Sequence, residues 1–119
     1  MPTKEEHKAK AVHNETFVAT LKDPYWDWAV TGMFYAAVHY VMAYLATQGI
    51  HPVLHHVRNS HIHRDPKLNS IYIDYRELQN NSEDARYMER VPATAFTQQD
   101  VTRLTVCLNK IKQIILPLI

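Results

Sequence analysis

The chain has 119 residues and a net charge of +1, with one cysteine, two glycines, six prolines and eight histidines. This length suits a single domain over residues 1–119, and the lone Cys107 excludes a disulfide framework and a cysteine-based zinc site. The near-neutral charge argues against a protein whose whole surface attracts nucleic acid. The charged amino terminus has no apolar stretch behind it, so we expect no secretory signal and a cytoplasmic protein.

Scarce glycine is the first indication of the fold class. Hairpins and barrels need glycine or Asn-Gly turns, and this chain has only Gly32 and Gly49. Its prolines are spaced as separators between helices, because proline is tolerated in the first turn of a helix but not further in. The sequence therefore predicts an all-α protein.

The first helix is predicted over residues 4–21. Thr3 and Glu6 have the spacing of a capping box, which marks the start of a helix. We expect the next helix to begin at Asp23-Pro24, with Asp23 as its N-cap and Pro24 as its first residue.

The second helix is predicted over residues 25–48 and ends at Gly49. It has no charged residue from Trp28 to Ala46, so a membrane span has to be considered. The stretch also contains polar residues and three tyrosines, and no cluster of Lys or Arg flanks it. These features favour a core helix that also contributes to a dimer interface, and no membrane is expected.

The remaining helices complete a predicted up-and-down bundle of four main helices with a short fifth. A short third helix spans residues 52–64, and a fourth begins at residue 66. We expect the Asn80-Asn81-Ser82 sequence to interrupt the fourth helix, with a further turn or two of helix over residues 83–90. The last helix begins near Thr97 and has the apolar spacing of a bundle helix, in Val101, Leu104, Leu108, Ile111, Ile115 and Leu118.

Titratable groups are concentrated in residues 50–67. This segment has a net charge of +2 and contains five of the eight histidines. Histidine changes its charge near physiological pH, so this segment is the candidate functional site. The histidines are His51, His55, His56, His61 and His63.

A helical wheel over this segment places an apolar side around Leu54, with Val53, Val57 and Ile62. Arg58 borders that side and needs an acid or an anion as partner, because an unpaired buried guanidinium is very costly. Asp84 is one candidate partner. A polar stripe lies next to Arg58, formed by His55, Asn59 and His63 and adjoined by His56.

Three interpretations of this stripe are open. The stripe has no carboxylate or thiol as a further ligand, which disfavours a metal site, and we predict neither a metal nor a cofactor. The second interpretation is a solvated face with no specific role. The third is a site that processes RNA or a nucleotide, where a histidine transfers a proton and Arg58 neutralises a phosphoryl group.

Two segments of the chain resemble the HEPN domain (higher eukaryotes and prokaryotes nucleotide-binding) in their order and spacing. The first is DWAVTGMFYAAVHYVMAYLATQGIHPVLHHVRN, and the second is YRELQNNSEDARYMERV followed by an amphipathic last helix. The resemblance covers roughly residues 8–117. It implies an all-α bundle of four to five helices of the HEPN type.

The resemblance also implies site residues. Catalytic HEPN proteins carry an arginine, often followed by a polar residue, and then a histidine, and the Arg58–His63 segment fits this Arg-x4-His pattern. It implies a metal-independent endoribonuclease of the toxin or defence type. Arg58 and His63 would be the catalytic pair, with Asn59 as a polar accessory, His55 as a second proton-transfer candidate, and His56, Arg64 and Lys67 binding nucleic acid or nucleotide.

HEPN nucleases usually dimerise so that two motifs face one shared cleft, so the resemblance implies a homodimer. A regular helix separates Arg58 and His63 by about 140° and about 7.5 Å, so a second copy or a loosened helix would have to bring them together. Many HEPN domains are inactive. The alternative function is a non-catalytic module that binds RNA, a nucleotide or a partner protein, such as a nucleotidyltransferase or an antitoxin.

Overall fold

The fold is given by a computed structural model that describes residues 1–87 and 92–119. The described residues form helices and turns without a strand, which confirms the all-α prediction. Short 3₁₀ turns lie at Asn69–Ile71, Ala93–Ala95 and Leu116–Leu118. The α-helices are α1 (Lys4–Thr20), α2 (Trp26–Thr47), α3 (His55–Arg64), α4 (Tyr72–Tyr87) and α5 (Gln98–Ile115).

Some of the helices begin or end at the residues that the sequence predicts. Thr3 and Glu6 form the predicted capping box of α1, and Thr97 forms a second one at the start of α5. Gly49 follows α2 with φ of +71°, the left-handed conformation that glycine adopts without strain. The prediction for the start of α2 is wrong: its N-cap is Tyr25, and the Asp23-Pro24 pair lies in the preceding turn.

α2 is the central helix of the bundle. By length and composition it is apolar enough to cross a membrane, but most of its apolar stretch is buried among α1, α4 and α5. Fifteen of its 22 residues are buried, which confirms that it is a core helix. Its own chain covers most of its surface, and among its large apolar side chains Trp28, near the start of the helix, is 54% exposed.

α4 is continuous where the sequence predicted an interruption at Asn80-Asn81-Ser82. Asn81 donates from its amide to the Glu77 carbonyl at 2.8 Å, and Ser82 is fully buried. Packing therefore overrides the weak helix propensity of these residues. The helix predicted over residues 83–90 is the end of α4 as far as Tyr87, and the rest of that prediction lies outside the described residues.

Two ion pairs join acidic residues on one face of α4 to basic residues of α5. Glu77 accepts from Arg103 at 2.7 Å, and Asp74 lies 3.9 Å from Lys110. The apolar seam predicted for α5 packs in the same interface, with Leu104, Leu108, Ile111 and Ile115 buried. These contacts leave the opposite side of α4 facing α3.

Gly32 lets α1 approach α2 closely, and its replacement tests that packing. A Cβ at Gly32 would lie 2.6 Å from the Val18 Cγ2. We expect Gly32→Ala to lower the free energy of unfolding by about 1 kcal/mol, because overpacking costs about 1–3 kcal/mol and the gain in helix propensity is about 1 kcal/mol. Thermal unfolding should show the loss, and Val18→Ala added to Gly32→Ala should relieve the clash. An unchanged or raised Tm in the single variant would contradict this packing.

Candidate functional site

α3 buries two polar residues together with one apolar residue against the bundle. Arg58 and Asn59 are buried beside Ile62, whereas Val53 and Leu54 are 86% and 56% exposed. The predicted apolar side around Leu54 is therefore wrong. Leu54 is the N-cap of α3 and has an extended backbone, so Val53 and Leu54 lie outside the helical register that the wheel assumed.

Arg58 lies inside the bundle with 5% of its surface exposed. Its Nε donates to the Met42 Sδ at 3.4 Å, and its Nη1 lies 2.9 Å from the His55 Nδ1. None of the ion pairs among the described residues includes Arg58, and its candidate partner Asp84 is exposed. A buried guanidinium without a carboxylate is an uncompensated positive charge, which is costly unless an anion approaches.

The contact with Arg58 fixes the proton on His55. A guanidinium only donates, so the His55 Nδ1 must accept and the Nε2 of the neutral ring must carry the hydrogen. Burial lowers the pKa of His55 below 6.5, and the charges of Arg58 and Arg86 lower it further, while Glu83 raises it slightly. His55 is thus a neutral hydrogen-bond donor at pH 7.

Arg86, whose charge acts on His55, forms a half-buried pair with Tyr35. The Arg86 Nη1 donates to the Tyr35 hydroxyl at 3.0 Å, and the guanidinium lies 5.5 Å from the centre of the Tyr35 ring. Because the Tyr35 oxygen accepts that bond, its own hydrogen can be donated elsewhere. We call Tyr35, His55, Arg58 and Arg86 the donor cluster.

A second group of polar side chains lies at the other end of α3, in an open cleft of about 350 Å³. The His63 ring packs edge-on against Tyr72 with centroids 4.9 Å apart, and Arg76 donates to the Gln79 Oε1 at 3.2 Å. The Asn59 Nδ2 donates to the same Gln79 Oε1 at 2.9 Å. The residues lining this cleft are His56, Asn59, Ser60, His63, Tyr72 and Arg76, and none of them is acidic.

Arg64 and Lys67 lie in a different cleft, which also contains an acid. They line an open space of about 550 Å³ together with Asp65 and Tyr44. Asp65 accepts from the Tyr44 hydroxyl at 2.9 Å and from the Lys67 backbone amide at 2.8 Å. The structure therefore separates Arg64 and Lys67 from His56, with which the sequence grouped them.

The structure does not bring Arg58 and His63 together within one chain. Arg58 faces the bundle and contacts His55, whereas His63 is exposed and lies in the cleft with Arg76. The helix remains regular from His55 to Arg64, so it does not loosen to bring the two side chains together. Of the four predicted catalytic residues, Arg58 pairs with His55, and Asn59 and His63 share the other cleft.

Sequence reasoning did not place Tyr35, Arg76 or Arg86 in the site. A signal was available in α4, where Arg76, Gln79 and Arg86 recur on one helical face. Nothing in the sequence shows that this face packs against α3. Only the tertiary structure brings it beside His55 and Asn59.

Further histidines lie beside Arg58. The Nδ1 of His7 on α1 is 3.0 Å from the Nδ1 of His39 on α2, so one of these histidines donates to the other across the two helices. The His7 Nε2 and the His51 Nδ1 are buried without a hydrogen-bond partner. In the described part of the chain, no three residues among His, Cys, Asp and Glu are placed to hold a metal ion.

The His7–His39 contact makes stability depend on pH. Burial lowers the pKa of His39 from 6.5 to about 4, helped by the charges of His7, Lys10 and Arg58, and burial also lowers the pKa of His7. Between pH 6.5 and about pH 4, the unfolded chain therefore binds more protons at His39 than the folded chain does. The free energy of unfolding decreases as the pH falls through this range.

We expect the Tm of the wild type to fall between pH 7.5 and pH 5, and to fall less in His39→Gln. His13→Gln, which changes an exposed histidine of α1, is the matched control and should keep the wild-type slope. Circular dichroism melts at each pH measure the effect. Identical slopes in the wild type and His39→Gln would contradict this assignment.

Comparison with known proteins identifies no relative: no family model, no curated protein and no solved structure matches this chain.

Proposed function

We propose that this protein is a HEPN-like, non-catalytic module that binds the phosphate groups of RNA or a nucleotide at the donor cluster. The buried Arg58 guanidinium, which has no carboxylate partner in the described structure, is the observation on which this proposal rests. An anion at this site would provide the charge compensation that the protein itself does not supply.

The donor cluster has the chemistry of a phosphate site. His55 offers its Nε2 hydrogen, Arg86 offers guanidinium hydrogens, and Tyr35 offers its hydroxyl hydrogen. Phosphate oxygens only accept when ionised, so three donors and a charge behind them match a phosphate better than a cation. The same arrangement disfavours His55 as a general base, because its acceptor nitrogen is occupied by Arg58.

Membership of the HEPN family and the identity of any partner are also proposals. The resemblance to HEPN domains supports nucleotide binding by a small helical bundle, and the five-helix fold is compatible with it. A homodimer, a nucleotidyltransferase or antitoxin partner and a cytoplasmic location stay predictions. If a dimer forms, its apolar contacts come from exposed residues, such as Trp28 of α2 or Val53 and Leu54 before α3.

Replacing Arg86 should weaken nucleotide binding. We expect Arg86→Gln to raise the Kd for a nucleotide about tenfold, because a hydrogen bond to a charged group contributes about 1.5–3 kcal/mol. Arg64→Gln is the control, since Arg64 is an exposed arginine outside the donor cluster. Isothermal titration with adenosine monophosphate and with a short RNA gives both constants. If the wild type binds neither ligand, the proposal is wrong.

Metal-independent endoribonuclease activity is the second candidate function, and the cleft at the far end of α3 favours it. RNA cleavage through the 2′-hydroxyl needs a base, an acid and a cation. The cleft contains two imidazoles, His56 and His63, together with the guanidinium of Arg76. For this second function, His63 would transfer a proton, as the resemblance implied. Arg76 would replace Arg58 as the cation that neutralises the phosphoryl group.

The nuclease is tested by incubating the protein with labelled RNA in the presence of EDTA. If it is an enzyme, we expect His63→Ala and Arg76→Ala each to reduce the cleavage rate at least about a hundredfold, since general acid–base groups contribute about 10²–10⁴. Arg64→Ala should leave the rate unchanged. RNA binding without cleavage by the wild type removes this candidate and favours the binding module.

A further inference from the structure

The cleft that contains Arg64 and Lys67 lies where the carboxyl ends of α2 and α3 meet. Its open space of about 550 Å³ has the size of a small-molecule site, for which about 300–1,000 Å³ is typical. None of the residues of the donor cluster lines it. The cleft is therefore a second place, independent of the proposed phosphate site, where a ligand could bind.

One part of the cleft wall is apolar and belongs to α2 and the chain that follows it. Leu45 is 1% exposed, so its side chain is held in place by the core, and Ile50 is half-buried. Pro66, in the turn after α3, adds another apolar surface. An apolar group placed here would lose contact with water together with the wall, which stabilises binding in proportion to the area covered.

Two basic side chains of the cleft have their charged ends available. Arg64 and Lys67 are exposed, and neither forms an ion pair with another described residue. Within the described part of the chain, the Arg64 side chain makes one long hydrogen bond, from its Nε to the Ser60 carbonyl at 3.4 Å. The Arg64 Nη atoms and the Lys67 ammonium are thus open to an acceptor on a ligand.

Asp65, the acid of this cleft, is bound by neutral donors and not by either base. Its Oδ2 accepts from the Tyr44 hydroxyl at 2.9 Å, and its Oδ1 accepts from the Lys67 backbone amide at 2.8 Å. Because Tyr44 is 4% exposed, its hydroxyl is a fixed donor that holds the carboxylate in place. Asp65 therefore stabilises the turn that carries Lys67, while the Lys67 ammonium stays unpaired.

The formal charge of the cleft selects between classes of anion. Two basic residues and one acidic residue line it, which gives a charge of +1 when His61 is counted as neutral. A ligand with one negative charge balances this charge, whereas the double charge of a phosphate monoester would exceed it and be repelled by Asp65. A carboxylate also matches the two parallel N–H groups of a guanidinium.

We propose that this cleft binds a small amphipathic monocarboxylate, with the carboxylate at Arg64 and Lys67 and the apolar body against Leu45 and Ile50. Charge complementarity fixes the position of the carboxylate, and the apolar wall accounts for the rest of the ligand. This site does not depend on the proposed phosphate binding, so either one can be wrong without the other.

Three ligands test the two contacts separately at constant ionic strength. Phenylacetate has both the apolar body and the carboxylate, phenylacetamide keeps the body without the charge, and acetate keeps the charge without the body. We expect phenylacetate to bind with a Kd of about 1–10 mM, and the other two to bind at least about tenfold more weakly. Heteronuclear NMR titration measures the affinities, and the largest shifts should occur at the amides of residues 44–50 and 61–67.

Variants at the surface of the cleft test the charged contacts. Arg64→Gln and Lys67→Gln should each weaken phenylacetate binding about three- to tenfold, because each removes one charged donor, and should leave phenylacetamide binding unchanged. Both side chains are exposed, so we expect the fold to tolerate either change. Lys8→Gln changes an exposed lysine of α1 outside the cleft and is the matched control, which should bind phenylacetate like the wild type.

The outcomes are distinct from those that test the proposed function. Phenylacetate binding that exceeds the binding of both other ligands, and that Arg64→Gln and Lys67→Gln weaken, supports the monocarboxylate site. Equal affinity for phenylacetate and phenylacetamide, or no saturable binding of phenylacetate, overturns it and leaves the phosphate site untouched. Tighter binding of adenosine monophosphate or of a short acidic peptide at the same amides also overturns it, because the cleft would then prefer multiple charges.

Discussion

The contact between Arg58 and His55 is the interaction on which the polar side of this bundle depends. A guanidinium with 5% of its surface exposed and no carboxylate partner in the described structure has to be satisfied by neutral groups, and the His55 Nδ1 and the Met42 Sδ accept from it. Because His55 accepts at one nitrogen, it donates at the other. This buried contact therefore determines that His55 offers a hydrogen-bond donor, and not an acceptor, to a ligand.

That constraint explains why the proposed role is phosphate binding in preference to proton transfer at the same place. A general base needs an available lone pair, and the lone pair of His55 is already used. The pKa of His55 is lowered by burial and by two guanidinium groups, which keeps the ring neutral and its donor in place at pH 7. The imidazoles suited to proton transfer, His56 and His63, lie in the open cleft with Arg76.

Much of the helical architecture was predictable because local signals and burial agree there. The capping box at Thr3, the glycine after α2 and the apolar spacing of α5 each have one physical interpretation, and the structure has each of them. The prediction failed where tertiary packing outweighs local preference. α4 runs through Asn81 and Ser82, and α3 buries Arg58 while its preceding valine and leucine remain exposed.

The sequence by itself determined the fold class, the central apolar helix and the concentration of histidine between Gly49 and α4, because these depend on composition and periodicity. It could not determine which face of α3 is buried, since polar and apolar residues occur on both sides of that short helix. Only the tertiary structure separated Arg58 from His63 and placed Arg76 and Arg86 beside α3. The physical reason is that the partners of a buried charge come from other helices, and their proximity is set by packing.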